Sequence, residues 1–491
     1  MTADHREKTV VVIGAGIAGI ATAIRLAVKG LKVSVYEANS YPGGKLTEFV
    51  SSGFRFDAGP SLFTMPQYVD ELFRLAGKQP SDYFRYKKLD TVCRYFYEDG
   101  TRLTAWADLE KLADEIALNT RDTRESVARF LKKSREIYDI THHIFLEKSL
   151  HRLGSYLNRQ TLQSVLRFGQ IDAFRTMNQA NASHFHDSKT RRFFNRYATY
   201  NGSNPYQAPA TLNIIPHLEQ HFGAYFPEGG MHAITSALVR LAEELGVEFH
   251  YQSRVDEILY DHGEVKGVRA NEAVIPASSV ISNMDVWFTY RKLLKGVQLP
   301  DKILNQERSS SALIFYWGVK GTFKELDLHN IFFSEDYEKE FSAIWKKKGI
   351  DSDPTIYLNI SSKLRPEDAP EGSENWFVMI NVPANEGQDW DSLIAEARIN
   401  IIKKLSRMLK RDIAALIAVE EILDPREIES RTSSYQGSLY GTSSNGRFAA
   451  FLRHPNFIRA IKGLYFAGGS VHPGGGIPLA LLSAKIIDDN F

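Results

Sequence analysis

Cysteine is almost absent: Cys93 is the single one in 491 residues. An intrachain disulfide is therefore excluded, and with no CxxC pair or histidine–cysteine cluster at zinc spacing no metal is expected. The pattern suits a reducing compartment. Long apolar runs are missing too. No uncharged stretch approaches the roughly 20 residues a membrane-spanning helix requires. The N-terminal MTADHREKTVVVIGAG passes from charge straight into a short strand, without the apolar core of a secretory signal. A cytoplasmic location is the expectation. Charge of one sign is the third absence: 60 Lys+Arg against 59 Asp+Glu leave a net +1, too little for the basic field of a nucleic-acid binder.

What remains has the composition of a chain that folds in water, with 43% hydrophobic and 24% charged residues, both ordinary for globular domains. The length exceeds the roughly 250 to 300 residues at which single cores stop growing. Two or more domains with a buried site between them are expected.

The chain opens on β-α-β. Residues 9–13 (TVVVI) read as a buried strand, Gly14 to Gly19 as a tight turn opening a helix that buries Ile20, Ile24 and Leu26, and 32–37 (KVSVYE) as the next strand. Gly14-Ala15-Gly16-Ile17-Ala18-Gly19 is thus GxGxxG in the context that gives it meaning. Gly14 permits the turn, Gly16 lets the backbone approach a pyrophosphate, and Gly19 lets helix and strand pack closely. The helix N-terminus offers free N–H groups and positive dipole to phosphates. Glu37, ending the second strand, is placed to accept hydrogen bonds from ribose hydroxyls.

Residues 66–200 carry long helical patterns (PQYVDELFRLAG, DLEKLADEIALN, SVARFLKKSREIYDITHHIF) and few strand signals. From about 225 an amphipathic helix (231–246) precedes strands VEFHYQ and RVDEILYD and a hairpin turning at His262-Gly263. Strands at 312–319, 355–360 and 376–382 belong to a separate sheet. GLYFAGG and PLALLSAKIIDD close the chain as strand and helix.

Several segments resemble flavin enzymes of the amine oxidase and carotenoid desaturase superfamily. After Glu37 and Ala38, Gly43-Gly44-Lys45-Leu46 is similar to an extended dinucleotide fingerprint whose basic residue faces phosphate; Lys45 stands where arginine is usual and lacks its bidentate fork. The alternative for Lys45 is a solvated turn residue. Phe56-Asp57-Ala58-Gly59-Pro60-Ser61 resembles a segment lying along the isoalloxazine ring. Pro227-Glu228-Gly229-Gly230-Met231 resembles a block followed by a strand whose first residue, here Val255, packs beside adenine, or is simply core. Gly463 to Ser470 and His472-Pro473-Gly474-Gly475-Gly476-Ile477-Pro478 resemble the C-terminal flavin segment of carotenoid desaturases, with Ser470 where aspartate is common. Asn201 to Pro209, Asp353 to Tyr357 and Ala369-Pro370-Glu371-Gly372 look like phytoene desaturase signatures. EANSYPGGKL, FDAGPSLFTMPQYVDELF and GGSVHPGGGIPLALLSAK are similar to the hydroxycarotenoid 3,4-desaturase (methoxyneurosporene desaturase-like) branch.

The resemblance implies an α/β fold. A Rossmann-type FAD-binding domain would be assembled from 1–65, 225–285 and 455–491, with a helical insertion at 66–224 on the membrane and substrate side and a mixed-sheet substrate domain at 286–454. It implies non-covalent FAD held by Gly14, Gly16, Ala18, Gly19, Glu37, Ala38, Gly43, Gly44, Lys45, Leu46, Gly59, Pro60, Ser61, Val255, Gly469, Ser470, Gly476, Ile477 and Pro478. The implied reaction is desaturation of an acyclic or monocyclic hydroxylated carotenoid by hydride transfer to flavin N5, at the inner face of the cell membrane, with oxygen or a quinone as final acceptor. A flavin amine oxidase and a lipid carrier of the GDP dissociation inhibitor kind are the alternatives. No proton acceptor is assigned: Glu228, His472 and Asp285 lie in or near flavin-family segments, and each reads equally as structural. The aromatic patches Phe193-Phe194, Tyr197, Tyr200 and Trp287-Phe288-Thr289-Tyr290 line a tunnel, press on a bilayer or form core.

Cys93 lies far from the C-terminal segment, where some related oxidases attach flavin through a thioether. Acid precipitation of the purified yellow protein is therefore expected to release its FAD into the supernatant; flavin retained in the pellet contradicts this.

Overall fold

A computed structural model describes residues 8–145, 148, 167–446, 449 and 452–491. Residues 1–7, and 149–166 of the expected helical insertion, lie outside the described residues. The first strand, β1 (Thr9–Ile13), is the centre of a five-stranded parallel sheet. β2 (Lys32–Tyr36) pairs on one side and Ser279–Ser282 on the other, with Glu248–His250 and Leu464–Phe466 at the edges. Its sequence explains this place. Every residue of TVVVI is β-branched, and all from Val10 onward are buried because both faces of the sheet are covered. On one face α1 (Ile17–Val28) packs against helix His232–Glu244 and the C-terminal helix Ile477–Asp488. On the other lies an antiparallel sheet of Val255–Asp261, Glu264–Ala270 and Ala273–Pro276. Its first hairpin turns at His262 and Gly263, as the sequence predicts.

A seven-stranded sheet forms the second layer, in the order Ile417–Leu423, Ser311–Lys320, Ser373–Val382, Ile356–Asn359, His329–Phe332, Thr91–Phe96, Arg102–Trp106. Its two faces follow the period-two alternation of strands. Leu313, Phe315 and Trp317 pack with Trp376, Val378 and Ile380 beneath helix Trp390–Leu409. Ala312, Ile314 and Tyr316, with Phe377 and Met379, face the opposite way, into a cavity.

The reading of 66–224 as a helical insertion needs correction over 86–106. Tyr86–Lys88 pairs with Ala224–Pro227. Thr91–Phe96 joins the seven-stranded sheet in parallel with His329–Phe332 and carries Arg102–Trp106 beside it. TVCRYF is buried at four of six positions. It therefore lacks the polar–apolar alternation that marks a half-exposed strand. The helical pattern holds afterwards, in Leu109–Asn119, Arg124–Phe145, Met177–His184, Ser188–Asn195 and Ile214–Phe222.

Arg55 ties the two layers together. Its guanidinium donates to Asp57 Oδ1 at 2.7 Å, to Asp368 Oδ2 at 3.2 Å and through Nε to Glu48 at 2.8 Å, while Asn375 Nδ2 donates to its carbonyl at 2.6 Å. Asp57 Oδ1 also accepts the N–H groups of Met231 and His232 at the start of helix His232–Glu244. Desolvation raises the Asp368 carboxyl above its usual range, even with Arg55 and Arg365 beside it. Arg55→Met is expected to lower stability by about 3–5 kcal/mol near neutral pH, because buried Asp57 loses its cation and buried Asp368 keeps only Arg365. The deficit narrows on acidification, since an unpaired buried carboxyl takes up a proton and that uptake favours the folded state. Urea titrations of both proteins at two pH values check this, and equal midpoints contradict it.

Candidate functional site

A cavity of about 520 Å³ lies between the carboxyl ends of the parallel strands and the apolar face of the seven-stranded sheet. Two helices begin at its wall. β1 ends at Ile13, the Gly14 N–H donates to Tyr36 O at 2.8 Å, and α1 starts at Ile17. A Cβ on Gly19 would stand 2.2 Å from Gly14 O, so any side chain there drives the helix off the strand. A Cβ on Gly16 would stand 2.6 Å from Asn283 Oδ1. Gly16, Ile17 and Ala18 line the cavity. No side chain caps α1, and no acidic residue lies in its first turn. Its leading N–H groups have no acceptor within the helix, so its positive end is left for a ligand.

The same arrangement recurs at the other end of the chain. Helix Ile477–Asp488 starts after Gly476, again without a side-chain cap or a first-turn acid. Gly476 to Ala480 line the same cavity. A dinucleotide with a pyrophosphate and an electron-accepting heterocycle that gains negative charge on reduction matches two such ends. The residues present fit FAD.

Of the positions expected to hold the cofactor, Gly16, Ala18, Gly43, Gly44, Lys45, Leu46, Gly59, Pro60, Ser61, Gly469, Ser470, Gly476, Ile477 and Pro478 line the cavity. Gly14, Gly19, Glu37, Ala38 and Val255 do not line it. The Glu37 carboxylate accepts Ala15 N at 2.8 Å and Asn39 N and Nδ2 at 2.8 and 2.9 Å. It thus fixes the glycine turn itself. Ala38 is exposed. Val255 is buried in the core, while Ser253 just before it donates its N–H to Glu37 O at 2.8 Å. Lys45 Nζ donates to Leu439 O and Ser438 O at 2.9 and 3.2 Å. Burial pushes this ammonium down to about 8, with the Asp285 carboxylate opposing and Arg308 adding to the shift. Ser470 Oγ accepts Val286 N at 3.0 Å.

Among the three residues considered as proton acceptors, Glu228 is exposed and His472 is buried with Nε2 2.9 Å from Lys148 O; neither lines the cavity. Asp285 does line it. Its carboxylate is ion-paired with Arg308 and accepts Trp287 N at 3.0 Å. Trp287 stacks on Tyr435 at 3.8 Å, and Phe288 and Tyr290 are core. Phe193, Phe194 and Tyr197 are core as well, whereas Tyr200 reaches the cavity.

Sequence reasoning named Tyr197 and Tyr200 but missed Arg196 and Glu219, which make a polar cluster at the cavity with them. Arg196 lies within about 5 Å of the rings of Tyr95, Tyr197 and Tyr200. Its partner Glu219 also accepts Tyr197 OH at 2.5 Å and the hydroxyl of Tyr200. Beside them Ser61 Oγ is 2.7 Å from Tyr357 OH, which is 2.7 Å from His329 Nδ1. Tyr357 sat in a quoted signature, but His329 is a lone histidine whose only signal is its alternation with Ile331 on one strand.

Gly16→Val is expected to lose essentially all bound flavin while keeping the fold, since the branched side chain collides with Asn283 and fills the phosphate approach. Flavin absorbance and circular dichroism of the purified variant check this; wild-type flavin content contradicts it.

Residues 17–486 match the family described as flavin containing amine oxidoreductase. The 1-hydroxycarotenoid 3,4-desaturase of Flavobacterium sp. (strain P99-3) is 50% identical over 482 residues, covering 98% of this chain and 98% of that protein. The 4,4'-diapolycopene oxygenase of Methylomonas sp is 35% identical, covering 99% and 98%. Cyclohexylamine oxidase from Brevibacterium oxydans IH-35A shares the fold with a TM-score of 0.64 at 15% identity, over 99% of this chain and 98% of that one. Matched over nearly its whole length, the chain belongs to the flavin-containing amine oxidoreductases, in the carotenoid desaturase branch, and is an FAD-dependent oxidoreductase.

Proposed function

We propose that this enzyme desaturates an acyclic or monocyclic, hydroxylated carotenoid, lengthening its conjugated system. One observation carries the reading: the cavity wall facing the two helix N-termini is the apolar face of a sheet, with Ile314, Tyr316, Phe377 and Met379 side by side on paired strands. A long hydrocarbon fits such a wall. Removing hydrogens from adjacent carbons needs a two-electron acceptor, which FAD supplies when bound. The wall orients the polyene and keeps water out.

An amine substrate is a poorer match. Among the described residues the carboxylates lining the cavity are Asp285 and Glu219, and both are already ion-paired with arginine. An ammonium group would enter without a free counter-charge. The names of the relatives in carotenoid chemistry support the same reading.

The substrate dissolves in lipid, so the enzyme meets it at a membrane. No helix among the described residues is long and apolar enough to cross one. Peripheral attachment at the cytoplasmic face of the cell membrane is part of the proposal, as is reoxidation by oxygen or a membrane quinone. Exposed Phe174 and Leu118, at 67% and 84% exposure, stand on the helical side and are suited to a lipid surface.

Incubation with hydroxylated carotenoid in liposomes is expected to shift its absorption to the red, with the protein co-floating with the vesicles. Aliphatic and aromatic amines are expected to remain unchanged. Amine oxidation with peroxide release and no change in any carotenoid would replace this reading with the oxidase one.

A further inference from the structure

His329 holds an unused hydrogen-bond donor at the cavity. Its side chain is 3% exposed and lines the cavity, and Nε2 has no hydrogen-bond partner among the described residues. The other ring nitrogen is engaged. Nδ1 lies 2.7 Å from Tyr357 OH and 3.1 Å from Asn359 Nδ2. The Asn359 amide also donates to Leu328 O at 3.1 Å, which orients its nitrogen as the donor group. Nδ1 therefore accepts, and the proton sits on Nε2.

The ring stays neutral. Burial, reinforced by Arg196, pushes its titration down to about 3, so at working pH it is neither a cation nor a useful base. Behind it the contacts form a fixed line from Ser61 Oγ through Tyr357 OH to Nδ1. Ser61 belongs to the Gly59-Pro60-Ser61 turn on the cofactor side of the cavity. Ile331, two residues along the same strand, is an apolar neighbour on the cavity face. A buried N–H in such a wall is strongly disfavoured unless an acceptor arrives.

We propose that the Nε2–H of His329 docks an oxygen atom on the end group of the carotenoid and so sets how far the polyene enters the cavity. This rests on the desaturase reading above and adds the residue that selects for an oxygenated end. A hydrocarbon end leaves the N–H unpaired; a hydroxyl or ether satisfies it. His329 is a specificity-determining and positioning residue here, not one that moves a proton.

The test uses the FAD-loaded enzyme with two linear carotenoids in liposomes, one with a tertiary end-group hydroxyl and one identical but without it. Rates are followed by chromatography of the pigments. Wild type is expected to prefer the hydroxylated substrate by roughly 10- to 100-fold in kcat/KM, the discrimination of one buried hydrogen bond. His329→Leu should bring the ratio near unity by losing activity on the hydroxylated substrate alone, with flavin content unchanged. His329→Gln, which retains an N–H donor, should keep much of the preference.

Equal wild-type rates on the two substrates overturn the inference without any variant, so a misfolded His329→Leu does not rescue it. An equal loss on both substrates, an unchanged preference, or loss of flavin in His329→Leu also overturns it. Turnover of neither carotenoid by wild type sinks the desaturase reading itself, and this inference with it.

Discussion

Two helix N-termini that the protein leaves without a neutralising side chain open onto one cavity, and much of the architecture serves to bring them there. The first belongs to residues 17–28 and the second to 477–488. The ends of the chain must therefore meet. They do so because β1 is the central strand and Leu464–Phe466 reaches the same sheet through Ser279–Ser282. Both helices pack into one core on the same face. Their axes cannot shift independently, since α1 is held against its strand by the missing side chain at Gly19. Between the two helices the chain adds the other strands of the parallel sheet and helix His232–Glu244 to the cofactor side and draws the second sheet from the segments between those.

Buried arginines fasten that wall to the cofactor side. Arg55 joins the hairpin Glu48–Ser51 and Phe54–Asp57 to Asp368 and the strand carrying Asn375. Arg453 works differently, through carbonyls: it donates to Tyr440 O, Thr442 O and Asn201 Oδ1 at 3.0, 2.9 and 3.3 Å, and to Gly469 O at 3.4 Å. Burial, with Arg308 adding to it, lowers its titration to about 10. The charge still stays on at working pH. Segments around residues 201, 440 and 469, distant in sequence, thereby keep one geometry at the cavity. Four oxygens from three segments thus converge on one guanidinium.

The β-α-β opening, the 231–246 helix and the C-terminal strand and helix were legible because each is local: periodicity, a glycine turn and a helix stop lie within a few residues. Strands at 312–319 and 376–382 were legible for the same reason. Thr91–Phe96 was not, because both of its faces are buried and one of its two partners, His329–Phe332, lies more than 200 residues away, the other being its hairpin neighbour Arg102–Trp106. The site divides in the same way. Glycine positions carry their reason in backbone geometry, and many of them line the cavity. Lys45 illustrates the limit: its sequence position suggests phosphate, yet its ammonium reaches two carbonyls contributed from residues 438 and 439. In the Arg196 cluster only Tyr197 and Tyr200 are local to the arginine, while Glu219 and Tyr95 come from elsewhere, and His329 depends wholly on tertiary neighbours. No spacing rule connects residues 61, 329 and 357.

The electrostatics of the cavity bear on what can enter it. Both helix ends present positive dipole, and the Lys45 ammonium adds a cationic group at the wall, whereas Arg196 and Arg308 are balanced by Glu219 and Asp285. The two lining carboxylates are consumed by arginines and hydroxyls. A field of this sign holds an anionic dinucleotide and repels a second cation, so it favours a substrate that is neutral along its whole length. Such a substrate can be selected only by shape and by isolated hydrogen bonds. Where water is excluded, a buried unpaired donor such as the Nε2–H of His329 or the hydroxyl of Tyr316 carries more discrimination than any charge, because water is not there to compete with it. The same features that make the site hospitable to FAD thus leave recognition of the second ligand to the sheet face and to the polar line that ends at His329.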